Sequence, residues 1–458
     1  MLLPSAFELR MKQLLGEEYD SFAAALIEGE AVRGLRLNPI KWEANTPPDE
    51  FPTSEIPYCH GGFILHSDEP IGAHPLHHSG AIYMQDPGAM SALSALDIEA
   101  DWKIIDLCAA PGGKSTQAAA KLGENGFILS NEYVAKRSKL MVGNFERLGL
   151  RRAMITSLDT KEFKNHFHET FDLCIADVPC SGEGMFRKSE DALSMWSEEN
   201  VALCAKRQNE IIENAVPLIK CGGYLLYSTC TYSLEENEMI VDAFLQRHPD
   251  FKLVPVKEKL RQATADGIKF DGAKSDALHL CRRFYPHKNP GEGQFVALMR
   301  KDGFLSNNKT ILYKNSLKPL SNEEKRIVDA FLSDTLTTDT KRRIEKLSDK
   351  IVLSVDGFPP MPYGVMLYGV LLGEIHKNTL TPSHHFYSAM GKHFKRRLEL
   401  SKEPETLVSY LSGEQIKAPE NFGVGYCVIT YLGAVIGGGK CIGSLINNHY
   451  PKGLRNKK

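Results

Sequence analysis

Cys180 and Cys230 stand in two stretches of similar build, "ADVPCSGEG" and "LLYSTCTYSLEENE". In each, a β-forming run ends at or just before the thiol, so both thiols are expected on the rim where strands give way to loops. A rim thiolate can serve covalent catalysis, in which one difficult group transfer becomes two easier ones. An isolated cysteine is more often a small buried hydrophobe, and Cys59, Cys174, Cys204, Cys221, Cys281, Cys427 and Cys441 take that reading.

A third stretch, "IIDLCAAPGGKST" over residues 104–116, sets a Gly-rich loop between an apolar run and a helix-forming segment. It is not a phosphate cradle. The pattern G-x-x-x-x-G-K-[ST] demands a Gly where Cys108 stands, and the dinucleotide fingerprint fails because Gly112 and Gly113 are adjacent. The ends of the next β runs carry acids: Glu132 in "SNEY", Asp159 in "SLDT" and Asp177 in "ADVPC". Carboxylates on one rim repel a polyanion and suit a cationic, hydroxyl-rich ligand. Glu132 lies 20 residues beyond Gly112, the spacing at which an acid meets ribose hydroxyls. S-adenosylmethionine fits the set, having a ribose, an ammonium, a sulfonium and no phosphate, and the two glycines let the backbone come close to it. The plainer alternative makes these acids helix caps or surface groups.

A methyl donor gives the thiols a use. Carbon 5 of a pyrimidine is too weak a nucleophile to take a methyl group unaided, but thiolate addition at carbon 6 makes it enamine-like. The proton on carbon 5 must then leave and the thiol be expelled, which needs a second group. Two cysteines on one rim suit that division.

These residues require a scaffold that brings strand ends together. The runs "KIIDL", "GFILS", "AMITS", "FDLCIAD" and "GYLLYST" alternate with helix-forming "KSTQAAAKL", "VAKRSKLMVGNFERLG" and "EENVALCAKRQNEIIENAVPLIK". The alternation predicts an α/β fold with a mostly parallel, doubly wound sheet, completed by "GQFVALMR" and binding ligands at strand carboxyl ends. Upstream, residues 4–30 read as two short helices, followed by a loop at "NTPPDEFP" and a mixed segment to about residue 80. Downstream, residues 301–380 are a charged helix-and-strand mixture without a chemical motif. "HHFYSAMGKHFKRRLEL" reads as a basic helix able to track phosphates, and residues 423–455 as Gly-punctuated strands.

The 458 residues suggest about three domains, and 42% apolar with 24% charged content is ordinary for a soluble chain. No secretory pattern or membrane-length apolar run is present, which predicts a cytoplasmic protein whose ten cysteines stay reduced. No Cys-x-x-Cys pair occurs, and "HPLHH" at residues 74–78 lacks ligand partners at metal-site spacing, so no metal is expected there; a loop or RNA contact is. The net charge of −2 hides a basic end: residues 381–458 hold 11 Lys and Arg against 5 Asp and Glu, as in an appendage that binds a polyanion. Phe186, Arg187 and Trp196 follow the Pro-Cys loop and either position RNA near a flipped base or pack in the core. Nothing requires more than a monomer.

"DLCAAPGGKST", "ADVPCSGEG", "YSTCTYSLEENE" and "RRFYPHKNPGEGQF" resemble, in order from residue 106 to residue 295, the successive motifs of the Nop/Sun family of RNA cytosine-5 methyltransferases. "RGLRLNPIKW" and "GAIYMQDPGAM" resemble the family's N-terminal approach, and the end in "NHYPKGLR" resembles the PUA-like RNA-binding end of its bacterial small-subunit rRNA members. The resemblance implies a class I, Rossmann-like methyltransferase, with S-adenosylmethionine as cofactor and small-subunit rRNA as partner. It implies Cys230 as the nucleophile on carbon 6 and Cys180 as the residue of product release. DNA cytosine-5 methyltransferases attack with the Pro-Cys thiol and lack the Thr-Cys one, so "STC" favours RNA. It further implies that Cys108, Ala109, Ala110, Pro111, Gly112, Gly113 and Lys114 form the methionine-side loop. Glu132, Arg137 and Asp159 would meet the nucleoside end, and Asp177 would lie between cofactor and base. A free thiol of pKa about 8.5 is only partly ionised near neutral pH, so Cys230 needs activation, for which Lys114 is a candidate by proximity. The expected division is an N-terminal RNA-binding segment at 1–95, the methyltransferase domain at 96–302, a first C-terminal domain at 303–380 and a PUA-like domain at 381–458. The same chemistry on tRNA, or a non-catalytic ribosome-assembly factor, are the alternatives.

Overall fold

A computed structural model describes residues 2–303, 316–338, 343–358 and 360–456. The chain opens with the two expected helices, α1 (Ser5–Leu15) and α2 (Tyr19–Ile27). Phe7, Met11, Phe22 and Leu26 recur at helical spacing and bury that face against Phe186, Trp196 and Tyr232 of the central region. Four antiparallel strands follow in the order β2-β3-β1-β4: β1 (Arg33–Leu37), β2 (Thr53–Glu55), β3 (Gly62–Leu65) and β4 (Ile82–Met84). Two short helices, α3 (Pro75–Ser79) and α4 (Pro87–Leu93), lie beside them. Both begin with Pro in the first turn, where no N–H is missed, and α4 is capped by Asp86, which accepts from Gly88 N at 2.8 Å.

The alternating segment builds the central sheet. β5 (Lys103–Asp106), β6 (Phe127–Asn131), β7 (Ala153–Thr156), β8 (Phe171–Asp177) and β9 (Ile219–Thr229) run parallel in the order β9-β8-β5-β6-β7. Their near-continuous apolar sequences match burial on both faces. Helices α5 (Gly113–Ala119), α6 (Ala135–Leu148), α7 (Glu190–Ser194), α8 (Glu198–Ala215), α9 (Glu238–Arg247) and α10 (Glu258–Ala263) accompany them. Two apolar cores, one on each face of the sheet, result. α8 stops five residues short of the expected end at Lys220, because Pro217 cannot donate a helical hydrogen bond and β9 begins at Ile219. β10 (Phe251–Leu253), β11 (Ala265–Asp266), β12 (Arg282–Phe284) and β13 (Gln294–Lys301) complete this side, β13 lying antiparallel to β9. Strand order reverses between β5 and β8, and a crevice at their carboxyl ends is where such sheets take ligands.

Two further sheets follow. The first, in the order β14-β15-β16-β18-β19, contains β14 (Leu317–Pro319), β15 (Ile344–Leu347), β16 (Lys350–Leu353), β18 (Val370–His376) and β19 (Thr379–Pro382), with α11 (Asn322–Thr335) packed on it. β17 (Val365–Tyr368) leaves that sheet and pairs antiparallel with β7, so the central sheet gains a strand from far downstream. The last sheet, in the order β20-β22-β23-β24-β21, has β20 (Arg397–Glu399), β21 (Ile416–Lys417), β22 (Gly425–Tyr431), β23 (Ala434–Ile442) and β24 (Leu445–Asn448). α12 (His384–Met390) and α13 (Pro404–Leu411) flank it. Gly438 of β23 lies so close beneath the Tyr387 ring that a Cβ there would clash. Of the terminal "RNKK", Lys457 and Lys458 lie outside the described residues.

The basic helix expected over residues 384–400 is only partly helical. It ends at Met390, and Arg397–Glu399 is a strand parallel to β22. The cause is a change of period: Leu398 and Leu400 point inward while Arg397 and Glu399 stay exposed, an alternation that a helix cannot satisfy. The "HPLHH" histidines hold the chain's end. His74 caps α3 by accepting from Leu76 N at 3.1 Å, and His78 bonds Asn456 at 3.1 Å and also the Tyr450 hydroxyl.

α12 adds His384 and His385 to this junction. His385 contacts Leu150 O through Nε2 at 2.8 Å and accepts from Leu371 N through Nδ1 at 3.3 Å, a pairing that requires the neutral ring. Burial, then nearby Lys41, push His384 down to about 3, and burial pushes His385 down to about 4. Burial likewise brings His78 to about 4. A histidine held below its ordinary pKa of 6.5 stabilises the fold fully above that pH, and the contribution is lost as pH falls through 6.5 toward the folded value. Thermal unfolding between pH 8 and pH 5 is therefore expected to show a midpoint that falls below pH 6.5. An unchanged midpoint down to pH 5 would contradict the neutral-histidine junction.

Candidate active site

The loop after β5 is fastened to α6. Gly112 has φ 106° and sits against Met141 and Phe145, where a Cβ would come within 3.3 Å of Met141 Cγ. The backbone on either side of the cis Ala110–Pro111 bond is held by side chains: Arg137 donates to Ala110 O at 2.9 Å and Asn144 to Pro111 O at 2.9 Å. Cys108, Ala109, Gly113 and Lys114 complete the turn into α5.

The three acids lie at the carboxyl ends of β6, β7 and β8. Glu132 is buried, pairs with Arg137 at 3.1 Å and accepts from Val134 N at 2.9 Å. Asp159 caps the turn after β7, with Lys161 N at 3.1 Å on one oxygen and Lys161 Nζ at 3.1 Å on the other, so both oxygens are used locally. Asp177 takes Lys114 Nζ at 2.8 Å and Ser228 Oγ at 2.7 Å, joining the ends of three strand-loop units. Burial works against the Lys114 ammonium, but Asp177 outweighs it and the lysine pKa is raised.

Asp106, the last residue of β5, was not singled out by sequence. It is fully buried; one oxygen accepts from Ser115 Oγ at 2.6 Å and the other has no partner among the described residues. Burial pushes its pKa up to about 7, with Asp177 adding to the rise. The signal was its place directly before the Gly loop in "IIDLC".

Cys180 Sγ and Cys230 Sγ are 3.3 Å apart. Buried acids splint the two loops that carry them. Glu183 accepts from Thr231 Oγ1 at 2.8 Å, Tyr232 N at 2.9 Å and Trp196 Nε1 at 2.9 Å. Glu236 accepts from Ser181 N at 2.9 Å and Gln208 Nε2 at 2.8 Å, and burial raises its pKa to about 7. Ser181 Oγ meets Thr231 Oγ1 at 2.9 Å, and Gly184 N donates to Cys230 O at 2.9 Å. The Cys230 contact, then burial, push the Cys180 thiol up. Trp196 and Phe186 are core residues packed on Phe7, and Arg187 pairs with Glu292 at 3.0 Å, so these three serve the scaffold. Among the other thiols, Cys59, Cys174, Cys204, Cys281, Cys427 and Cys441 are buried as expected, and Cys221 is half-buried.

Three family models match in order along the chain. The N-terminal domain of 16S rRNA methyltransferase RsmF covers residues 3–87, 16S rRNA methyltransferase RsmB/F covers 93–300, and the methyltransferase RsmF PUA domain covers 395–456. Ribosomal RNA small subunit methyltransferase F of Vibrio vulnificus (strain YJ016) is 32% identical over 412 residues, 87% of this chain and 85% of that protein. The protein of the same name from Erwinia tasmaniensis is 30% identical over 480 residues, 99% and 97% of the two chains. The chain belongs to the RsmB/F family of 16S rRNA methyltransferases.

Solved structures agree on the fold of this family member. A methyltransferase homolog protein from Pyrococcus horikoshii superposes with a TM-score of 0.56 and 26% identity, over 65% of this chain and 95% of that one. NSun6 from the same organism, solved with SFG, has the same fold at a TM-score of 0.53 and 21% identity, over 66% and 99% of the two chains. In this RsmB/F methyltransferase the paired thiols, the Gly loop and the Lys114–Asp177 pair thus converge on the crevice where strand order reverses. Among the described residues no helix is long and apolar enough to cross a membrane.

Proposed function

We propose that this chain methylates carbon 5 of a cytosine in small-subunit rRNA, using S-adenosylmethionine and a transient covalent bond between Cys230 and the base. The observation that carries the reading is the pair of thiols 3.3 Å apart at the ends of β8 and β9, beside the β5–β8 crevice. RNA binding alone has no use for two thiols so placed. The names borne by the relatives and family models favour small-subunit rRNA over tRNA as the substrate.

The crevice fits S-adenosylmethionine. It combines an acid at ribose spacing, a glycine loop at the carboxyl end of β5, and a buried Asp106 oxygen that has no partner among the described residues. The cofactor supplies an electrophilic methyl group. Glu132, oriented by Arg137, would hold the nucleoside hydroxyls, and residues 108–114 would pass along the methionine end. Asp159, occupied by Lys161, would contribute at the outer edge.

Cys230 adds as thiolate to carbon 6, and carbon 5 then takes the methyl group. A base, water or a rim side chain, takes the carbon 5 proton, and the electron pair of that C–H bond reforms the double bond as the carbon 6–sulfur bond breaks and returns the thiolate. Cys180, in contact with Cys230, assists that release. Lys114 is held as an ammonium by Asp177, so it acts as a positive charge beside the nucleophile and not as its base. Asp177, between the cofactor and the base, would also meet the base edge. We divide the chain as an N-terminal RNA-binding segment to 95, the methyltransferase domain to 302, a first C-terminal domain to 380 and a PUA-like RNA-binding domain beyond it.

The test supplies labelled S-adenosylmethionine with small-subunit rRNA, assembled small subunits or tRNA, then digests the RNA to nucleosides. Label in 5-methylcytidine from a small-subunit substrate is expected. Label in another nucleoside, or only in tRNA, would overturn the assignment.

A further inference from the structure

The N-terminal module contains two buried cations that this chemistry does not use. Arg36 is 3% exposed and Lys41 is 8% exposed. Arg36 donates to Gln85 Oε1 at 3.1 Å and Thr116 Oγ1 at 2.9 Å, and Lys41 donates to Ser388 Oγ at 2.7 Å. Neither has a carboxylate partner among the described residues. Burial lowers the pKa of both groups, that of Lys41 to about 7 with Arg151 and Arg147 adding to the fall, so an anion brought against them from outside would favour their charged forms.

Each cation lines a cavity. Arg36, with Lys121 and Lys257, borders a space of about 660 Å³ near the C-terminal end of α5. Lys41, with Lys392 and Arg397, borders one of about 560 Å³ between the N-terminal module and the last sheet. Trp42, Glu43 and Ala44 line both, so the two hollows share this segment as a common wall with the half-buried Trp42 ring in it, and together they are the furrow considered below. Six Lys and Arg side chains face two carboxylates: Asp97 neutralises Lys257 at 2.5 Å and Glu43 meets Lys392 at 2.8 Å. The basic stretch "HFKRRLEL" thereby divides. Lys395 and Arg396 are spent on Ser333 and Asp334 of α11, while Arg397, whose guanidinium donates to Lys392 O at 3.1 Å, opens on the furrow.

We propose that this furrow, away from the catalytic thiols, binds the sugar-phosphate backbone of the substrate RNA flanking the target. Two cation-lined hollows on either side of an aromatic ring suit consecutive phosphates of a single strand with a base against Trp42. The proposal rests on RNA being the substrate. It assigns the N-terminal and C-terminal modules a shared surface in place of separate ones.

The test compares full-length wild type with Lys121→Glu/Arg397→Glu, both exposed positions, and with Lys274→Glu/Lys269→Glu on the opposite face of the sheet. Equilibrium binding to a small-subunit rRNA fragment is measured from 50 to 300 mM salt. The furrow variant is expected to bind at least about tenfold more weakly at 150 mM salt and to lose about 1.4–1.8 from the log–log salt slope, as for two phosphate contacts. The control is expected to stay within about twofold, and thermal midpoints to match wild type. Wild-type affinity and slope in the furrow variant would overturn the proposal, as would equal losses in the control. Methyl transfer by wild type and by the control at saturating RNA is followed in parallel. Its absence from wild type would count against the proposed reaction and leave the binding result to judge the furrow.

Discussion

Cys180→Ala protein, isolated under denaturing conditions from cells making their own rRNA, will carry covalently attached RNA, and Cys180→Ala/Cys230→Ala protein will carry none. The reasoning is kinetic. Removing Cys180 leaves bond formation by Cys230 intact but slows release, so the adduct accumulates. Removing Cys230 prevents the bond, and methyl transfer should fall by more than about a thousandfold, the scale on which a nucleophile's loss is felt. Gel mobility before and after nuclease digestion reads the adduct directly. An adduct that persists in Cys230→Ala protein would exchange the roles of the two thiols. The 3.3 Å contact makes either order geometrically feasible, so the experiment decides between them.

Arg283→Met will cost about 3–5 kcal/mol of stability, because it strands a buried carboxylate. Glu238, the first residue of α9, is fully buried and receives Arg283 through two parallel bonds, at 2.7 Å from Nε and 2.5 Å from an Nη. Arg283 also donates to Tyr232 O at 2.8 Å, two residues beyond Cys230. The pair therefore ties the nucleophile loop to β12 and the edge of the sheet, and adduct formation should weaken along with the fold. Denaturant unfolding measures the loss. Glu238→Gln/Arg283→Met should recover part of it, since no lone charge remains. A cost under about 1 kcal/mol for the single variant would show that water reaches Glu238 and that the pair is not a dry one.

The central sheet could be read from sequence because its strands are apolar on both faces and bounded by Gly, Asp or Pro, so no other element competes for them. The thiols, the Gly loop and the three acids could be read because a doubly wound sheet delivers every strand end to one rim. Asp159 shows what spacing leaves out: it stands at the rim as read, but that a lysine two residues on meets both of its oxygens is visible only in the fold. Glu183 and Glu236 look like ordinary surface acids in "SGEG" and "LEENE", and their burial depends on donors from segments up to 55 residues away. Spacing cannot show that. "VMLYGVLL" reads as one apolar run, yet Gly369 at φ 55° breaks it, sending four residues to one sheet and the next strand to another. The false helix after Met390 failed for a related reason, since Arg and Lys frequency spoke for a helix while the two leucines kept strand period.

That break at Gly369 sets an order on biogenesis. β7 is made early, but its outer edge is covered only when residues 365–368 have left the ribosome, some two hundred residues later. Until then the nascent sheet carries an open, apolar edge, the feature by which sheets recruit wrong partners. Completion of the catalytic scaffold thus waits on the segment that leads into β18 of the first downstream sheet, and a chain cut short before it would be left with an unfinished sheet.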